Sequence, residues 1–451
     1  MAFTAQTFSV GQVLTAATMT QVDDNIDQVR YQHKGAAAPG DLAAGVLWLE
    51  DDNPSSTVWT WRMYDGASWI DLVEIDSTNN EAFFLGKAKT NPLVIRNAQM
   101  RVAQRGTSIA SLSDGFTPVD GWRIEPSGSA SAVYTASQES AGGTNGNDKW
   151  LKILVTTADA TPGVEEASSL EHRIEAQDAQ VLLNLTNDKF AGAVVSFDVI
   201  AHADGASSIT FPAKLGVFLR TSDGTARQYV SDVTITTADT WQRVSVVVPS
   251  DATATIDNDT GPGLTVGLGI YGGTNKQATA DVWANDSSDV VTANSKNWTD
   301  ATNNYIGVTR VKLERGADAT PFEHVPYIID LAWCQRYLVR WTEDYPSASA
   351  GAWVGYGHAS STTNAVIQIR PPVPMRTIPT WSISAASALS LSTDGSGTLI
   401  AVTADGGLYA GATETHIFVA TTVAAGLTAG VPYGLFLENG SAGFVQLSAE
   451  L

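Results

Sequence analysis

Residues 316–341 read GADATPFEHVPYIIDLAWCQRYLVRW, and the two halves of this stretch predict different structures. The first half contains Pro321 and Pro326 and has no helical period, which is typical of a chain leaving a β-domain. The second half places apolar side chains four residues apart, a helical spacing, at Ile329, Trp333, Tyr337 and Trp341. This stripe predicts a short helix that packs at a junction between domains or around a threefold axis.

The same stretch carries Cys334, the only cysteine of the 451-residue chain. A single cysteine cannot close a disulfide within the chain, so the fold does not depend on an oxidising compartment, and we expect a buried thiol. The chain starts MAFTAQTFSVGQVLTAATMT, without a basic leader, and contains no run of about 18 apolar residues. We therefore expect synthesis in a cytoplasm without a signal peptide or a membrane span.

Upstream of the quoted stretch, short apolar runs alternate with turns rich in Gly, Asp, Asn and Thr. They predict the strands of a two-sheet sandwich because no helical period separates them. The runs cover residues 151–156, 193–201, 214–221, 243–248, 264–271 and 305–313. In the last run the apolar parity changes between Val308 and Val311, which predicts a bulge or twist near Arg310.

Downstream, residues 342–451 contain a second set of apolar runs: VIQIR, TLIAVT, THIFVATTV and YGLFLE. Alternation between Gly and Ser turns predicts another β-domain. Arg370 and the prolines of the following segment, RPPVPMRTIPTW, interrupt this pattern because proline cannot donate to a sheet ladder. That segment is expected at a sheet edge or in a loop.

The N-terminal part has two predicted elements. A helix is predicted over residues 15–34 from the spacing of Met19, Val22, Ile26 and Val29. It is too short to stand alone and must pack on its own fold or on sister chains. After a linker at 35–45, a small antiparallel meander or hairpin is predicted around Trp48, Trp59, Trp61, Tyr64 and Trp69. These aromatic side chains either form the core of a small module or stack on sugar rings.

The predicted fold is therefore mainly β and multi-domain, with a short N-terminal helix, a central sandwich and a small C-terminal β-sandwich. The predicted ranges are an N-terminal attachment segment at 1–40, an aromatic-rich β module at 41–96, a central domain at 97–325, and a helix plus C-terminal β-domain at 326–451. The chain has 39 glycines and 17 prolines, a composition that suits turn-rich β-domains.

The charge balance of 26 Lys and Arg against 47 Asp and Glu gives a net charge of −21. Such a surface repels phosphate backbones and anionic headgroups, so we expect no nucleic-acid partner and no membrane insertion. Solubility alone also accounts for an acidic surface.

Several separated segments resemble, in the right order, the tail-fibre and receptor-binding structural proteins of tailed bacteriophages. The segments are NAQMRVAQRGTS at 97–108, DGWRIE at 120–125, SLEHRIEAQDAQVLLN at 169–184, WQRVSVVVP at 241–249, the stretch from 310 to 338 that contains CQRYL, and PPVPMRTIPTW at 371–381. The resemblance covers residues 97–451. The chain departs from the family pattern at Gly121, where arginine is usual, and at Phe197 to Val199, where an aromatic-rich strand is common.

The resemblance implies a jelly-roll sandwich similar to carbohydrate-binding modules, a short helix and a small closing β-domain. It implies a non-enzymatic virion protein, assembled in the host cytoplasm and acting outside the cell as a homotrimer. Its N-terminal region would dock on tail or baseplate proteins, and its β-domains would bind a host surface glycan.

Candidate ligand-binding residues combine aromatic rings with amides, because a sugar stacks its CH face on a ring and pairs its hydroxyls with polar groups. In the loop before the last run of the central domain they are Trp283, Asn285, Asn297, Trp298, Asn303 and Asn304. In the C-terminal domain they are Trp353, Tyr356 and His358. Ordinary loop packing is the alternative for each.

Catalytic motifs are absent from the sequence: there is no HExxH, no GxSxG and no phosphate-binding glycine loop. A glycosidase pair could come from Glu165, Glu166, Glu171 and Glu175, but sequence does not set the separation that mechanism needs. We expect no enzymatic activity and no cofactor. Asp257 and Asp259, in ATIDNDTGPG, supply oxygen ligands for a possible structural Ca²⁺, or they form a plain polar turn.

Two other function classes stay open. A polysaccharide-cleaving tailspike is one, although the chain has no self-similar period of 20 to 50 residues. A purely structural tail or baseplate connector is the other, and it would bind no glycan.

Overall fold

The computed structural model describes residues 37–38, 47–55, 58–64, 67–76, 81–84, 95–146, 148–184, 188–342, 352–393, 399–438 and 443–451. The chain divides into two compact units, Met1–Thr90 and Asn91–Leu451. Strands dominate the described residues of both units, and the two α-helices among those residues are short, so the mainly β fold is confirmed. The predicted N-terminal helix lies outside the described residues, and the four predicted domain ranges stay predictions.

The first unit contains a four-stranded antiparallel meander, which confirms the fold expected from the aromatic cluster. Its strands are β1 (Leu47–Ser55), β2 (Val58–Tyr64), β3 (Trp69–Asp76) and β4 (Glu81–Phe84). Trp48 is buried and contacts Trp69 edge-on at a ring distance of 5.3 Å, while Arg62 lies over Trp48 and pairs with Glu50. Trp48 therefore belongs to the core of the meander.

The second unit begins with a region of fifteen strands, thirteen of which form the two sheets of a β-sandwich while the other two pair with each other in a small parallel sheet. They are β5 (Ser108–Leu112), β6 (Gly115–Phe116), β7 (Trp122–Ser127), β8 (Val133–Gly142), β9 (Asp148–Thr157), β10 (Ala167–Glu175), β11 (Ala193–His202), β12 (Ala213–Thr221), β13 (Arg227–Ile235), β14 (Gln242–Val248), β15 (Pro262–Gly272), β16 (Gln277–Ala278), β17 (Val282–Asn285), β18 (Val291–Thr292) and β19 (Tyr305–Arg315). A single helical turn, α1 (Ala176–Ala179), follows β10.

Two antiparallel sheets enclose the core of the sandwich. One sheet has the order β17-β13-β12-β15-β10-β7-β6 and the other has the order β14-β11-β19-β9-β8-β5. Alternate side chains of each strand point inward, as Val195, Phe197 and Val199 do on β11, and they join one continuous apolar cluster. All six strand runs named in the sequence analysis are confirmed as strands of these sheets.

The bulge expected in the last strand is confirmed at Arg310. This residue has a left-handed φ of 54°, and the register between β11 and β19 shifts between Ser196 and Asp198. The extra residue switches the side of the sheet that the following residues face, so that Val308 before it and Val311 after it both point into the core. Arg310 itself pairs with the fully buried Asp198 at 2.9 Å.

The outer faces of the two sheets differ in what covers them. The loop that contains Val290 and Val291 packs against Phe218 on the outside of the seven-stranded sheet and forms a second small apolar cluster there. On the six-stranded sheet, the segment around Thr320 and Phe322 lies against one half of the outer face, next to Arg310. This segment leaves the other half of that outer face uncovered.

The predicted helix forms, as α2 (Tyr327–Gln335), but its buried side differs from the predicted stripe. Its buried residues are Asp330 and Cys334, whereas Ile329 is exposed and Trp341 already belongs to the next strand. Asp330 accepts a hydrogen bond from the Asn97 backbone N–H at 2.7 Å, so this side of the helix faces the sandwich. The buried thiol is confirmed, and burial raises the pKa of Cys334.

The C-terminal region is a closed barrel with an adjoining three-stranded sheet, where the sequence predicted a small sandwich. Its strands are β20 (Leu338–Thr342), β21 (Ala352–Ala359), β22 (Asn364–Ile369), β23 (Thr380–Ile383), β24 (Leu389–Ser392), β25 (Ile400–Leu408), β26 (Ile417–Val423), β27 (Pro432–Leu437) and β28 (Phe444–Ser448). The barrel order is β21-β22-β26-β25-β24-β27, and β20-β28-β23 form the sheet. Six short strands close on themselves here because closure removes free sheet edges.

The proline segment after β22 is irregular from Arg370 to Pro379, as expected. The barrel has its own apolar core, separate from that of the sandwich, around residues such as Ile367, Val419 and Leu435. Among the described residues, no helix has the length and apolar character needed to cross a membrane.

Polar contacts join the barrel to the sandwich. Glu175 at the end of β10 is fully buried and accepts hydrogen bonds from Arg336 at 2.6 and 3.0 Å and from the Tyr337 hydroxyl at 2.7 Å. Arg105 also pairs with Glu450 near the C-terminus. The sandwich and the barrel are thus connected by buried ion pairs in addition to the chain itself.

Candidate functional site

Two of the predicted candidate residues, Trp298 and Asn304, hold the long loop before β19 in place. Trp298 is buried, and its indole N–H donates to the Lys214 carbonyl at 3.2 Å. Asn304 is also buried, and its amide donates to Asp300 at 2.8 Å and accepts from the Asp204 backbone at 2.8 Å. These two side chains fix the loop, and because both are buried they are not accessible to a ligand.

Two of the other candidates in this region, Trp283 and Asn285, lie on β17, and Asn297 and Asn303 lie in the loop that follows. Trp283 on β17 is half-buried against Phe190 and donates to the Pro249 carbonyl at 2.8 Å. Asn285 accepts a hydrogen bond from Arg227 at 2.8 Å, and Asn297 donates to the Asp159 carbonyl at 2.8 Å. Asn303 is exposed with a left-handed φ of 69°. Hydrogen bonds within the protein therefore occupy Trp283, Asn285 and Asn297.

The three candidates of the C-terminal domain do share a surface. Trp353, Tyr356 and His358 all lie on the outer face of β21 and are exposed. Trp353 stacks on Tyr356 with ring centroids 4.5 Å apart and planes 24° from parallel. A bulge in the pairing of β21 with β27 places Trp353 and Tyr356 on the same side although they are three residues apart.

A larger aromatic surface lies on the six-stranded sheet of the sandwich. Its centre is Trp150 on β9, whose indole lies over two glycines of the neighbouring strands. A Cβ on Gly307 would lie 2.4 Å from Trp150 Cζ3, and a Cβ on Gly142 would lie 2.4 Å from Trp150 Cδ1. The indole therefore lies across the sheet in the space that the missing side chains leave, and its N–H donates to the Ser140 carbonyl at 3.2 Å.

Three further rings surround Trp150. Trp241 meets it at a ring distance of 5.4 Å with the planes 88° apart, and Tyr305 lies 6.3 Å from it. His202, directly opposite Tyr305 on β11, stacks on the phenol ring at 5.3 Å and 9°. All four rings are half-buried, so each keeps part of its surface in solvent. We call Trp150, His202, Trp241 and Tyr305 the sandwich platform.

Polar groups border the sandwich platform. The Lys152 ammonium lies 4.4 Å from the centre of the Tyr305 ring. Asp239, in the turn between β13 and β14, accepts hydrogen bonds from the Tyr305 hydroxyl at 2.8 Å and pairs with His202 Nδ1 at 2.9 Å. Aromatic faces next to a cation, an imidazole and a carboxylate provide both the stacking and the hydrogen bonds that a sugar ring requires.

The hydrogen bonds of Asp239 change the electrostatics of this border. Partial burial by itself would raise the pKa of the Asp239 carboxyl, but hydrogen bonds from His202 and Tyr305 and the charge of Lys152 outweigh it and lower this pKa. Burial and then the hydrogen bond to Asp239 raise the pKa of the Tyr305 phenol. Tyr305 therefore stays a hydrogen-bond donor, and Asp239 stays an acceptor, at neutral pH.

The sequence analysis did not find the sandwich platform. Its rings come from β9, β11, β19 and the turn before β14, which only the sheet order β14-β11-β19-β9 brings together. One signal was present in the sequence: Trp150 and Lys152 alternate with the inward-facing Leu151 and Ile153 of a predicted strand. A single outward aromatic residue is common on protein surfaces, and it indicates a binding face only when the sheet order groups several such rings into one patch.

The glutamates considered as a catalytic pair are held in internal contacts. Glu171 is buried between Ser169 and Arg173, and Glu175 is bound by Arg336 and Tyr337 at the domain junction. Glu165 accepts from Asn275 at 2.6 Å, and Glu166 accepts from the Gly163 backbone at 2.7 Å. A cavity of about 400 Å³ lies beside Glu175, lined by Asp178, Trp333 and Arg336 among others.

Asp257 and Asp259, the possible Ca²⁺ ligands, lie exposed in the loop before β15. The Asp259 carboxylate accepts from the Gly261 backbone at 2.6 Å. Within the described ranges, no group of three or more His, Cys, Asp and Glu side chains is arranged to hold a metal ion. The structural Ca²⁺ stays a prediction.

Comparison with known proteins gave structural neighbours only. No protein-family model matches the chain. No curated protein matches it either. The solved structures that match include the enzymatically active domain of tailspike protein 4 from bacteriophage CBA120, at 10% identity and a TM-score of 0.26 over 50% of this chain and 22% of that chain.

Two other matches are to structures solved in complex with oligosaccharides. One is the module TmCBM61 in complex with β-1,4-galactotriose, at 10% identity and a TM-score of 0.21 over 43% of this chain and 88% of that chain. The other is a CBM22 and GH10 fragment of endo-1,4-β-D-xylanase 10B from Clostridium thermocellum, complexed with xylohexaose, at 12% identity and a TM-score of 0.24. It covers 48% of this chain and 30% of the xylanase chain.

These neighbours correct one expectation. We expected no enzymatic activity because the sequence contains no catalytic motif, yet the matching structures include a tailspike enzymatic domain, a xylanase and an agarase. The prediction that the chain is not an enzyme is contradicted, and we withdraw it. Absence of a motif is a weak argument for glycan-cleaving proteins, since their carboxylates have no fixed spacing along the sequence.

Proposed function

We propose that this chain binds glycans through the sandwich platform. The observation that carries the proposal is the placement of Trp150 across Gly142 and Gly307, with Trp241 and Tyr305 beside it. The two glycines leave space for the indole on the surface of the sheet, and the indole that fills this space is held rigid. Rigid rings lose little entropy when a sugar stacks on them.

We further propose that the protein is part of a virus particle. The segments that resemble phage tail fibres support a role as a tail-fibre or receptor-binding protein that attaches the virion to a glycan of the host surface. The N-terminal region would join it to tail or baseplate proteins. Assembly in the host cytoplasm and action outside the cell belong to this role.

A homotrimer fits this role because single sugar contacts are weak. Three copies held on one fibre raise the strength of attachment without any new contact, since the second and third binding events become intramolecular. Sedimentation of the full chain at micromolar concentration tests this directly. A mass of one chain would contradict the trimer and leave the glycan site itself untouched.

The main experiment measures adhesion of the fluorescently labelled full chain to candidate host bacteria and to their purified surface polysaccharides. We expect adhesion that periodate treatment of the cells abolishes. Trp150→Ala combined with Trp241→Ala should weaken it about tenfold or more, because each lost stacking contact contributes about 0.5 to 1.5 kcal/mol beyond its buried area.

Tyr327→Ala is the matched control, because this tyrosine is exposed at the start of α2 and lies outside the sandwich platform. Adhesion that is unaffected by the double substitution would refute the site, and absence of any adhesion would favour a structural connector. The polysaccharide recovered from the same samples is sized, so that shortening of its chains would reveal the cleavage expected of a tailspike.

A further inference from the structure

The outer wall of the barrel carries a row of side chains that runs across its strands. Tyr356 on β21 is the direct partner of Gln368 on β22, and Gln368 is in turn the direct partner of Phe418 on β26. The row continues to Tyr409, just after β25, whose backbone N–H donates to the Phe418 carbonyl at 2.7 Å. Since neighbouring strands lie about 4.8 Å apart, these four positions span about 14 Å.

The first ring of this row is held in place from behind. Trp353 covers one face of Tyr356, and Trp353 itself rests in the space above Gly434, where a Cβ would lie 2.0 Å from its Cζ3 atom. The Trp353 indole also contacts Phe436 at a ring distance of 3.8 Å. Tyr356 remains 63% exposed, so the ring face that Trp353 does not cover is available to a ligand.

We infer that this row, Tyr356, Gln368, Phe418 and Tyr409 with Trp353 behind it, is a second glycan site, and we call it the barrel strip. The strand spacing is close to the length of one pyranose residue along a glycan chain, so successive rings of a linear oligosaccharide meet successive positions of the row. The inference rests on the proposed function only for the class of ligand, since its residues are separate from the sandwich platform.

The chemistry of the row selects a neutral glycan. Aromatic rings at Tyr356 and Phe418 flank the Gln368 amide, and an amide pairs with both the donor and the acceptor roles of a sugar hydroxyl. The row contains no charged side chain, and the net charge of −21 repels anionic polymers. The sandwich platform differs in this respect, because Lys152 and His202 border it.

The length of the row also predicts how many sugar rings the bound glycan has. One sugar ring would occupy a single position, whereas a chain of three or more rings would contact Tyr356, Gln368 and Phe418 together. Affinity should therefore rise from the monosaccharide to the trisaccharide and level off once the row is filled, because each added contact costs little further loss of rotational freedom.

The test uses the full chain with an array of neutral polysaccharides, and β-1,4-linked galactose and glucose oligomers of increasing length. We expect retention of at least one neutral glycan, weakened about fivefold to tenfold by Tyr356→Ala and by Phe418→Ala. Tyr356→Phe keeps the ring and should bind as the unsubstituted chain does. Because Tyr356 and Phe418 are on the outer wall, thermal unfolding of both alanine variants should match that of the parent.

The outcomes separate this inference from the proposed function. Binding that survives Trp150→Ala with Trp241→Ala but falls in the two barrel variants supports the barrel strip. Binding that falls only in the sandwich variant overturns the barrel strip and leaves the sandwich platform in place. No retention of any neutral glycan, or retention that none of these substitutions changes, also overturns the barrel strip.

Discussion

The sandwich platform takes its four rings from distant parts of the chain, whereas the barrel strip starts from Trp353 and Tyr356, two residues three positions apart. Both surfaces seat an indole over glycine: Trp150 over Gly142 and Gly307, and Trp353 over Gly434. They differ in how firmly the ring is held. Trp150 is half-buried among other rings, while Trp353 is 39% exposed at the rim of its barrel.

This difference shows two ways in which a β-protein can build a sugar-binding surface. In the sandwich, the order of four strands brings the rings together, and an Asp-His-Tyr network fixes their border. In the barrel, a bulge in one strand aligns two local aromatics, and direct strand partners extend the row. The first surface is more rigid, and the second depends on fewer distant contacts.

The largest expected effect concerns the link between the two regions. Glu175→Gln removes the charge that Arg336 and Tyr337 bind at the junction of sandwich and barrel. Breaking a buried ion pair on one side costs about 3 kcal/mol or more, so the free energy of unfolding should fall by that amount. Urea titration followed by tryptophan fluorescence measures it.

Glu165→Gln, at an exposed site whose hydrogen bond the amide can keep, is the control for this variant. A loss equal to that of the control would mean that the junction contributes little. A separate barrel transition in the Glu175→Gln variant alone would show that the two binding surfaces are held in one unit mainly by this ion pair.

The next effect tests the seat of Trp150. Gly307→Ala places a methyl group 2.4 Å from the indole, which must shift. Overpacking of this kind costs about 2 kcal/mol of stability, and we expect glycan binding by the sandwich platform to fall about tenfold although no ring is removed. Gly205→Ala, where a Cβ meets open space, should change neither quantity. Unchanged binding in Gly307→Ala would show that the position of Trp150 does not matter.

A smaller effect is expected for the corresponding glycine of the barrel. Gly434→Ala also collides with an indole, at 2.0 Å from Trp353 Cζ3, but Trp353 is at the surface and can move outward. Stability should fall by about 1 kcal/mol or less, and binding of neutral oligomers by a few-fold at most. A stability loss larger than that of Gly307→Ala would reverse the ranking of rigidity that the two surfaces suggest.

The smallest effect concerns the border of the sandwich platform. The pKa of Asp239 lies below its ordinary value of 3.8, so its ionised form stabilises the fold above that pH and the contribution is lost as the pH falls through the lowered pKa. The stability difference between the parent and Asp239→Asn should be under about 1 kcal/mol at pH 7, because the pair is exposed, and it should shrink in acid. Thermal unfolding at pH 7 and at pH 3 measures both. A difference that grows in acid would contradict the lowered pKa.

The local pattern of residues was sufficient to predict several strands and one bulge of this protein. Alternation and turn residues predicted six strands of the sandwich and four of the C-terminal region, and the parity change between Val308 and Val311 predicted the bulge at Arg310. Trp353, Tyr356 and His358 are close in sequence and all three are exposed on β21, and their role in ligand binding stays a prediction.

Other predictions required knowledge of partners that local pattern does not contain. The helix stripe through Ile329 and Trp333 was expected to be the buried side, but the side that carries Asp330 and Cys334 is buried, where Asp330 accepts a hydrogen bond from the Asn97 backbone. Trp298 lies in a segment rich in amides, which suggested a binding loop, yet its side chain is buried in the main core of the sandwich and its backbone N–H donates to the Ile270 carbonyl.

The amino-acid sequence by itself determined that ten segments of the chain are strands and which of their side chains alternate, because these properties depend on the chemistry of residues within a few positions of one another. Only the tertiary structure decided that six C-terminal strands close into a barrel, and that Trp150, His202, Trp241 and Tyr305 meet on one face. Strand order joins residues about a hundred positions apart, and the free energy that selects this order comes from burying the whole core at once.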